Sequence, residues 1–262
     1  MIMQRKDTPE TLYIQPPLPY NADINPIASI PDLQVIYNAF AGKLDVAEFG
    51  QRTERTSIRL NRVIRVNLLQ YYSADHKELM EGVFSNEKAL RSWNLFLFWQ
   101  LALTNRLVFE ILSDLFFKYY FEGRATLPKQ EIIAYLKDKR IQSSETGEVW
   151  SDTTIERIAS KLLTFLKRLE VMEGVKVKNF KSVLLGQREL TIFCYLLMAV
   201  YPEASNFLEV PLRKFSFSSK EAFIQQVKKL AVKDFLDVQY DGNKLKISPK
   251  HHFNKIVDVL YH

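Results

Sequence analysis

Apolar residues recur every three or four positions along most of this 262-residue chain, which is the period of a helix that buries one side. The clearest case follows Ser151-Asp152-Thr153, residues of the kind that cap helix N-termini, and predicts a helix over 154–168. Its buried face is expected to comprise Ile155, Ile158, Leu162, Phe165, Leu166 and Leu169. The dominant period therefore predicts a mainly α fold, a helical bundle with small β-hairpins.

Start and stop signals place the other helices. They are predicted over residues 32–41, 45–49, 53–70, 76–84, 86–90, 92–121, 129–139, 189–200 and 222–232, and the 92–121 segment is either one long helix or a helix pair. The most apolar stretch, from Leu95 to Leu103, is interrupted by Gln100 and followed by charged residues. A membrane-spanning helix needs about 20 nearly uncharged residues, so this stretch is interpreted as the central buried helix of a soluble domain.

Two of these helices are followed by a basic ribbon. After the 154–168 helix, Val175-Lys176-Val177-Lys178 alternates apolar with basic residues, as an exposed strand does. After the 222–232 helix, segments 238–240 and 244–247 flank Asp241-Gly242-Asn243, which predicts a hairpin with a tight turn. Helix-turn-helix or winged-helix units have this order of elements, although an amphipathic helix with a plain surface hairpin fits the first case equally well.

The predicted organisation has three parts. Residues 1–31 hold six of the ten prolines and are expected to form a proline-rich extended arm, since each proline removes a backbone donor. Residues 32–150 are assigned to a helical N-terminal domain. Residues 151–262 form a C-terminal region with two winged-helix-like units, at about 151–185 and 205–262.

Basic residues exceed acidic ones, 36 to 30, which gives a net charge of +6. Residues 211–255 alone contain ten Lys or Arg against four Asp or Glu. Basic charge concentrated in one region favours a polyanionic partner, and a solvated lysine-rich face without a partner is the alternative.

The candidate binding residues fall into three groups. An arginine stripe on the 53–70 helix could face an acidic surface of the same protein, an acidic partner protein or a nucleic-acid backbone, because the guanidinium group suits phosphate oxygens. The two helix-and-ribbon units could place lysines against phosphates. The stripe comprises Arg52, Arg55, Arg59, Arg62 and Arg65. The first unit contributes Arg157, Lys161, Lys167, Lys176, Lys178 and Lys181, and the second Lys228, Lys229, Lys233, Lys244 and Lys246.

Catalytic motifs are missing from the sequence. The histidines, His76, His251, His252 and His262, lack metal-ligand spacing with a cysteine or carboxylate, and no glycine-rich phosphate loop occurs. We therefore expect no enzyme activity, metal, cofactor, small-molecule substrate or membrane association. Cys194 in an apolar run and an N-terminus without a secretory signal indicate a reducing, cytoplasmic location.

Several segments resemble the BrxA family of bacteriophage-exclusion (BREX) defence systems, over about residues 35–185. They are Thr53-Glu54-Arg55-Thr56-Ser57-Ile58-Arg59-Leu60, Leu95-Phe96-Leu97-Phe98-Trp99-Gln100-Leu101, Trp150-Ser151-Asp152, Thr153-Thr154-Ile155-Glu156-Arg157-Ile158-Ala159-Ser160-Lys161 and Leu166-Lys167-Arg168-Leu169-Glu170. The resemblance implies a mainly helical cytoplasmic protein with helix-turn-helix-like units that binds DNA. The chain departs from the family in its longer proline-rich arm, its extra C-terminal unit and Leu169-Glu170-Val171-Met172 after the 154–168 helix.

The resulting hypothesis is a non-enzymatic accessory protein of an antiphage defence system that binds double-stranded DNA through backbone phosphates. Other defence-system proteins are further candidate partners. An adaptor that docks an acidic protein, or an RNA-binding protein, remains the alternative.

Overall fold

The structure of the chain, a computed structural model, describes residues 28, 30, 32–43, 54–143 and 150–262. Helices dominate the described residues, which confirms the predicted mainly α class. The α-helices are α1 Gln34–Phe40, α2 Glu54–Asn67, α3 Ala74–Ser85, α4 Trp93–Thr104, α5 Arg106–Ile111, α6 Phe117–Phe121, α7 Lys129–Ser143, α8 Asp152–Arg168, α9 Gln187–Val200, α10 Lys220–Val232 and α11 Phe253–Tyr261. Two 3-10 helices, Glu87–Ser92 and Pro211–Ser216, and a π-helical turn, Leu112–Phe116, complete the helical part.

Two small antiparallel sheets accompany the helices. The first pairs β1 Met172–Glu173 with β2 Asn179–Phe180, and the second pairs β3 Leu236–Tyr240 with β4 Leu245–Pro249. The predicted helix at 45–49 lies outside the described residues, as does the predicted arm except for Ala28 and Ile30. Both of those residues are buried, and Arg168 donates a hydrogen bond to the Ala28 carbonyl at 3.3 Å.

Serine side chains cap the helices that carry the two candidate units. The Ser151 hydroxyl accepts the Thr154 amide at the start of α8, and the Ser219 hydroxyl accepts the Ala222 amide at the start of α10, each at 3.2 Å. These bonds satisfy amides that have no partner inside a helix. The capping predicted for Ser151-Asp152-Thr153 is confirmed, and Ser219 caps α10 in the same way.

The predicted 92–121 segment is a set of short helices that bends at Asn105. The Asn105 side chain accepts the Val108 amide and so caps α5 where α4 ends. From Phe96 to Thr104 every residue of α4 is buried, as expected for the central helix. Within the described residues, no single helix is long and apolar enough to cross a membrane; one pair, Glu87–Thr104 with Arg106–Phe121, passes on length and composition but is bent by 109°.

A buried polar network fixes the centre of the bundle around His76. The Tyr72 amide donates to His76 Nδ1 at 3.2 Å, and His76 Nε2 lies 2.8 Å from Gln100 Oε1. Because Gln100 Nε2 donates to the Leu68 and Gln70 carbonyls, its oxygen is the acceptor and His76 Nε2 carries the proton. Complete burial lowers the pKa of His76 to about 4, so the imidazole is a neutral structural group.

The first hairpin differs from its prediction. Val175 to Lys178 do not form a strand; they form the loop that joins β1 to β2. Gly174 begins this reversal with φ of +90°, a backbone conformation that favours glycine. The alternation of valine and lysine therefore reflects a turn with exposed side chains rather than a pleated strand. The second hairpin has the predicted position, with its turn at Gly242, φ +103°.

Helix α11 is an element that the sequence analysis did not predict. Its buried residues Phe253, Ile256, Val257 and Leu260 have helical spacing, which was a usable signal. Helix α11 packs against α3, and α9 packs against α3 as well. The Trp99 indole on α4 also donates to the Phe215 carbonyl at 3.0 Å. Contacts therefore connect the predicted N-terminal domain with the C-terminal region, and the division into domains stays a prediction.

Candidate nucleic-acid interface

Helix α2 presents the described part of the arginine stripe to solvent. Its opposite face buries Leu60, Val63, Ile64 and Asn67, which is why the arginines share the outer side. The exposed arginines are Arg55, Arg59, Arg62 and Arg65. Arg52 lies outside the described residues.

No carboxylate among the described side chains forms an ion pair with these four arginines. Arg65 Nε donates to the amide oxygen of Asn61 at 2.8 Å, a neutral contact that leaves its charge uncompensated. Two apolar side chains lie on the same face, Ile58 at 56% and Val66 at 49% exposure. The α2 face, defined as these four arginines with Ile58 and Val66, is therefore strongly cationic with two apolar positions.

The first unit, α8 with the β1–β2 hairpin, offers fewer uncommitted charges. Arg157, Lys167 and Lys176 are exposed. Lys178 donates to two carbonyls of its own loop, Gly174 at 3.1 Å and Val175 at 2.6 Å, and Lys181 lies 3.6 Å from Glu170. Lys161 is half-buried and also interacts within the chain. Only half of the predicted first-unit side chains are thus presented without a contact among the described residues.

In the second unit, α10 with the β3–β4 hairpin, three of the lysines lie near one tyrosine. The Lys228 ammonium lies 4.6 Å from the centre of the Tyr240 ring, a cation–π contact that connects α10 to β3. Tyr240 pairs with Leu245, so Lys244 and Lys246 flank the residue opposite it on β4. A shallow hollow of about 410 Å³ lies here, lined by Ser205, Gln239, Tyr240, Asp241, Lys244 and Lys246. Tyr240 was missed by sequence reasoning, although its place beside a basic turn was a usable signal.

In the second hairpin some lysines are committed to partners in the protein and others are not. Lys246 pairs with Gln239 on the exposed face, whereas Leu245 and Ile247 are buried. At the base of the hairpin Lys250 forms ion pairs with Asp234 and, at 3.5 Å, with Asp237. Lys233 donates to Gln187 at 2.6 Å. Lys229, Lys244 and Lys246 remain exposed, and their ammonium groups have no hydrogen bond or ion pair among the described residues.

Neither the cysteine nor the central histidine forms a reactive site. Cys194 is fully buried and burial raises the pKa of its thiol, while burial also keeps the His76 imidazole neutral by lowering its pKa. Among the described residues, no group of three or more His, Cys, Asp or Glu side chains is placed to hold a metal ion.

These features define a class, a mainly α protein with a cationic helix face and two helix–hairpin units that carry basic side chains. The chain belongs to the BrxA family, because the family model matches residues 46–194. Membership confirms the resemblance found in the sequence and indicates a BREX-associated defence protein. The match includes the α2 face and the first unit, and it ends before the second. Comparisons with curated proteins and with solved structures give no match.

Proposed function

We propose that this BrxA-family protein is a non-enzymatic accessory component of BREX defence that binds duplex DNA mainly through backbone phosphates. The observation that carries the proposal is the α2 face. Four exposed guanidinium groups lie along 14 residues of helix, and no described carboxylate compensates them. Like charges on one helix face repel each other, and a polyphosphate backbone relieves that repulsion.

Arginine and phosphate are matched in geometry as well as charge. The planar guanidinium donates two parallel hydrogen bonds to one phosphate group, and successive turns of α2 present Arg55, Arg59 and Arg62 in a row. Contacts of this kind fix the position of the protein on the duplex without reading sequence. The proposed binding is therefore strong at low salt and weakly dependent on base sequence.

The second unit supplies the other part of the proposed interface. Lys229, Lys244 and Lys246 project from a helix and from an adjacent hairpin, an arrangement that suits a helix-turn-helix or winged-helix reader. Lys228 is held over Tyr240, and its ammonium is therefore fixed in position beside the other lysines. The first unit joins this interface mainly through Arg157, Lys167 and Lys176.

The proposal includes no reaction, cofactor, metal, small-molecule substrate or membrane, and it places the protein in the cytoplasm. Its support is the environment of the two residues most suited to chemistry. The thiol of Cys194 is protonated and buried, and the imidazole of His76 is fully hydrogen-bonded inside the bundle. Substrate contact at either group requires the core to open.

An adaptor that docks an acidic partner of the defence complex is the second candidate. The observation in its favour is the presence of Ile58 and Val66 among the arginines, since phosphate backbones offer no apolar surface to cover them. An acidic protein with an apolar centre covers both kinds of side chain. In this case the α2 face is a protein interface and the second unit alone meets nucleic acid.

The test is a salt titration of binding to a random DNA duplex, by fluorescence anisotropy. We expect the logarithm of the affinity to fall linearly with the logarithm of salt, by about 0.9 per phosphate contact. Arg55→Ala/Arg59→Ala/Arg62→Ala is expected to lower the slope by about 2.7, and Lys228→Ala/Lys229→Ala by a smaller amount. The matched control, Lys88→Ala/Arg91→Ala/Lys118→Ala, removes the same charge from exposed positions outside the interface and retains the slope.

Three outcomes contradict the proposal. No binding by the wild type at low salt leaves the adaptor, for which pull-down of an acidic BREX protein is then the assay. If duplex RNA competes as well as duplex DNA, the protein binds nucleic-acid duplexes in general rather than DNA. If the control variant loses as much of the salt slope as the arginine variant, the α2 face contributes only net charge and is not a specific contact surface.

A further inference from the structure

The loop of the first hairpin exposes apolar side chains that the proposed phosphate contacts do not use. Val175 is 81% and Val177 59% exposed, with Lys176 exposed between them. Isolated exposed apolar residues are ordinary on protein surfaces. Here two valines occupy alternate positions of the five-residue loop 174–178 at the end of a hairpin, and we call these two exposed side chains the apolar tip.

Two devices hold this tip in shape. Gly174 has φ of +90°, and a Cβ at this position would lie only 2.1 Å from the Val177 carbonyl oxygen, so the loop backbone is tightly reversed. Lys178 Nζ donates to the Gly174 carbonyl at 3.1 Å and to the Val175 carbonyl at 2.6 Å. The ammonium therefore ties the two arms of the loop together and covers carbonyl oxygens that would repel phosphates.

The base of the hairpin is attached to the helical core. The Phe180 amide donates to the Ala125 carbonyl at 2.9 Å, and Asn179 forms a β-bridge with Thr126. The Phe180 ring meets the Phe116 ring edge-on, with the ring centres 4.9 Å apart. The valines are thus carried on a braced and anchored loop, and a preorganised loop loses little entropy on binding.

We propose that Val175 and Val177 enter the DNA minor groove as an apolar wedge, while Lys176 meets the flanking phosphates. The inference rests on the proposed DNA binding and adds a mode of contact to it. Minor-groove proteins frequently insert apolar side chains between base steps, which unstacks the bases and kinks the duplex. A narrow braced tip with one cation between two valines suits a groove about 6 Å wide.

Insertion into the groove would bury the apolar tip while the basic side chains around it stay in contact with phosphates. Exposed Arg157 and Lys167 on α8 belong to the same unit and add to the positive charge that attracts an anionic duplex. Once in the groove, the valines leave water for the unstacked faces of bases, and the lysine stays at the groove edge. Pyrimidine–purine steps in A·T-rich DNA are expected to be preferred, because they deform easily.

The experiment compares the full chain with Val175→Ser/Val177→Ser on a short duplex that has a central TA step and a dye at each end. Energy transfer between the dyes reports bending, and anisotropy reports affinity. We expect the wild type to bring the duplex ends closer, and the variant to lose the bend and about tenfold in affinity. Because no charge is removed, the slope of affinity against salt is expected to stay unchanged.

The matched control is Leu184→Ser/Val232→Ser, which replaces two other exposed apolar side chains, each 88% exposed, outside the braced loop. It is expected to bind and bend as the wild type does. Both variants are checked by circular dichroism, and serine at exposed positions preserves the fold.

Each result decides a different question. Wild-type binding without a change in dye distance, or equal bending by the valine variant, overturns the wedge and leaves phosphate binding intact. A loss of affinity in both variants also overturns it, because the effect is then general to exposed apolar groups. Absence of all duplex binding by the wild type removes the proposed function and the wedge together.

Discussion

The two helix–hairpin units are similar in sequence and different in structure. Both consist of a serine-capped helix followed by a lysine-bearing hairpin. The first hairpin has strands of two residues and a loop closed by Lys178, whereas the second has strands of five residues and a regular ladder from Leu236–Pro249 to Tyr240–Leu245. Lysine in the first hairpin is largely committed to the protein, while the second presents Lys244 and Lys246 to solvent. The repeated sequence pattern of a capped helix followed by lysines therefore predicts where the chain reverses direction. The partners of the lysine side chains determine which of them can bind a ligand.

The units also rest on different parts of the bundle. The first packs α8 on α7 and attaches its hairpin to residues 125 and 126. The second packs β4 on α9, and α9 and α11 pack on α3, the helix that contains His76. A change at the centre of the bundle is therefore expected to reach the second unit more directly than the first.

Acidification tests this difference and has the largest expected effect. His76 has a pKa of about 4 in the folded protein, below its ordinary 6.5, so the unfolded chain binds this proton first. The contribution of neutral His76 to the free energy of unfolding is fully present above pH 6.5. The free energy of unfolding falls by roughly 3 kcal/mol in total as the pH drops from 6.5 towards 4. Urea unfolding at several pH values measures the slope, and His76→Gln is expected to lose its steep part between pH 6.5 and 5.

The control for this experiment is His252→Gln, at an exposed position near the C-terminus. It is expected to show the wild-type slope. Hydrogen exchange at pH 5 is expected to show greater loss of protection in β3 and β4 than in α8. Equal loss of protection in both units would mean that both depend on the packing around His76 to the same extent.

Paired lysine substitutions compare the two hairpins as DNA contacts. Lys244→Ala/Lys246→Ala removes two uncommitted cations, so we expect about 50-fold weaker duplex binding at 0.1 M salt and a slope reduced by about 1.8. Lys161→Ala/Lys181→Ala removes the same charge from side chains with internal partners, and about threefold is expected. Equal losses in the two variants would show that internal partners do not restrict the first unit.

Glycine substitutions separate the two turns by stability. Gly174→Ala meets the Val177 carbonyl and adopts a positive φ, and about 2 kcal/mol or more of destabilisation is expected. Gly242→Ala has open space around it and φ of +103°, so only the backbone preference is lost, about 1 kcal/mol. Urea midpoints of the two variants provide the comparison. If Gly242→Ala is more destabilising than Gly174→Ala, the first loop is not the tighter turn.

The sequence correctly predicted the elements that have strong local signals. Its predictions were wrong or incomplete where a contact with a distant part of the chain determines the local structure. The capped α8 and α10 and the turn at Gly242 follow from residues within one segment. The loop at Val175 was predicted as a strand, because Lys178 folding back on two carbonyls leaves no periodic trace. The central role of His76 depends on Gln100, which is 24 residues away. For the candidate site, the positions of the basic residues were readable, but their partners were not.

The smallest expected effect concerns the lysine that braces the first loop. Lys178→Met keeps the apolar stem and removes two hydrogen bonds from a charged donor, so we expect a loss of about 1 kcal/mol in unfolding free energy. Lys246→Met, at an exposed position of the second hairpin without such bonds, is expected to retain wild-type stability. The pair also bears on binding, since Lys178→Met loosens the valine tip and Lys246→Met removes a phosphate contact. If Lys178→Met is destabilised but keeps the salt slope of DNA binding, the lysine of the first hairpin has a structural role. If Lys246→Met is stable but has a reduced salt slope, the lysine of the second hairpin contacts phosphate. The same response in both variants would contradict this difference between the hairpins.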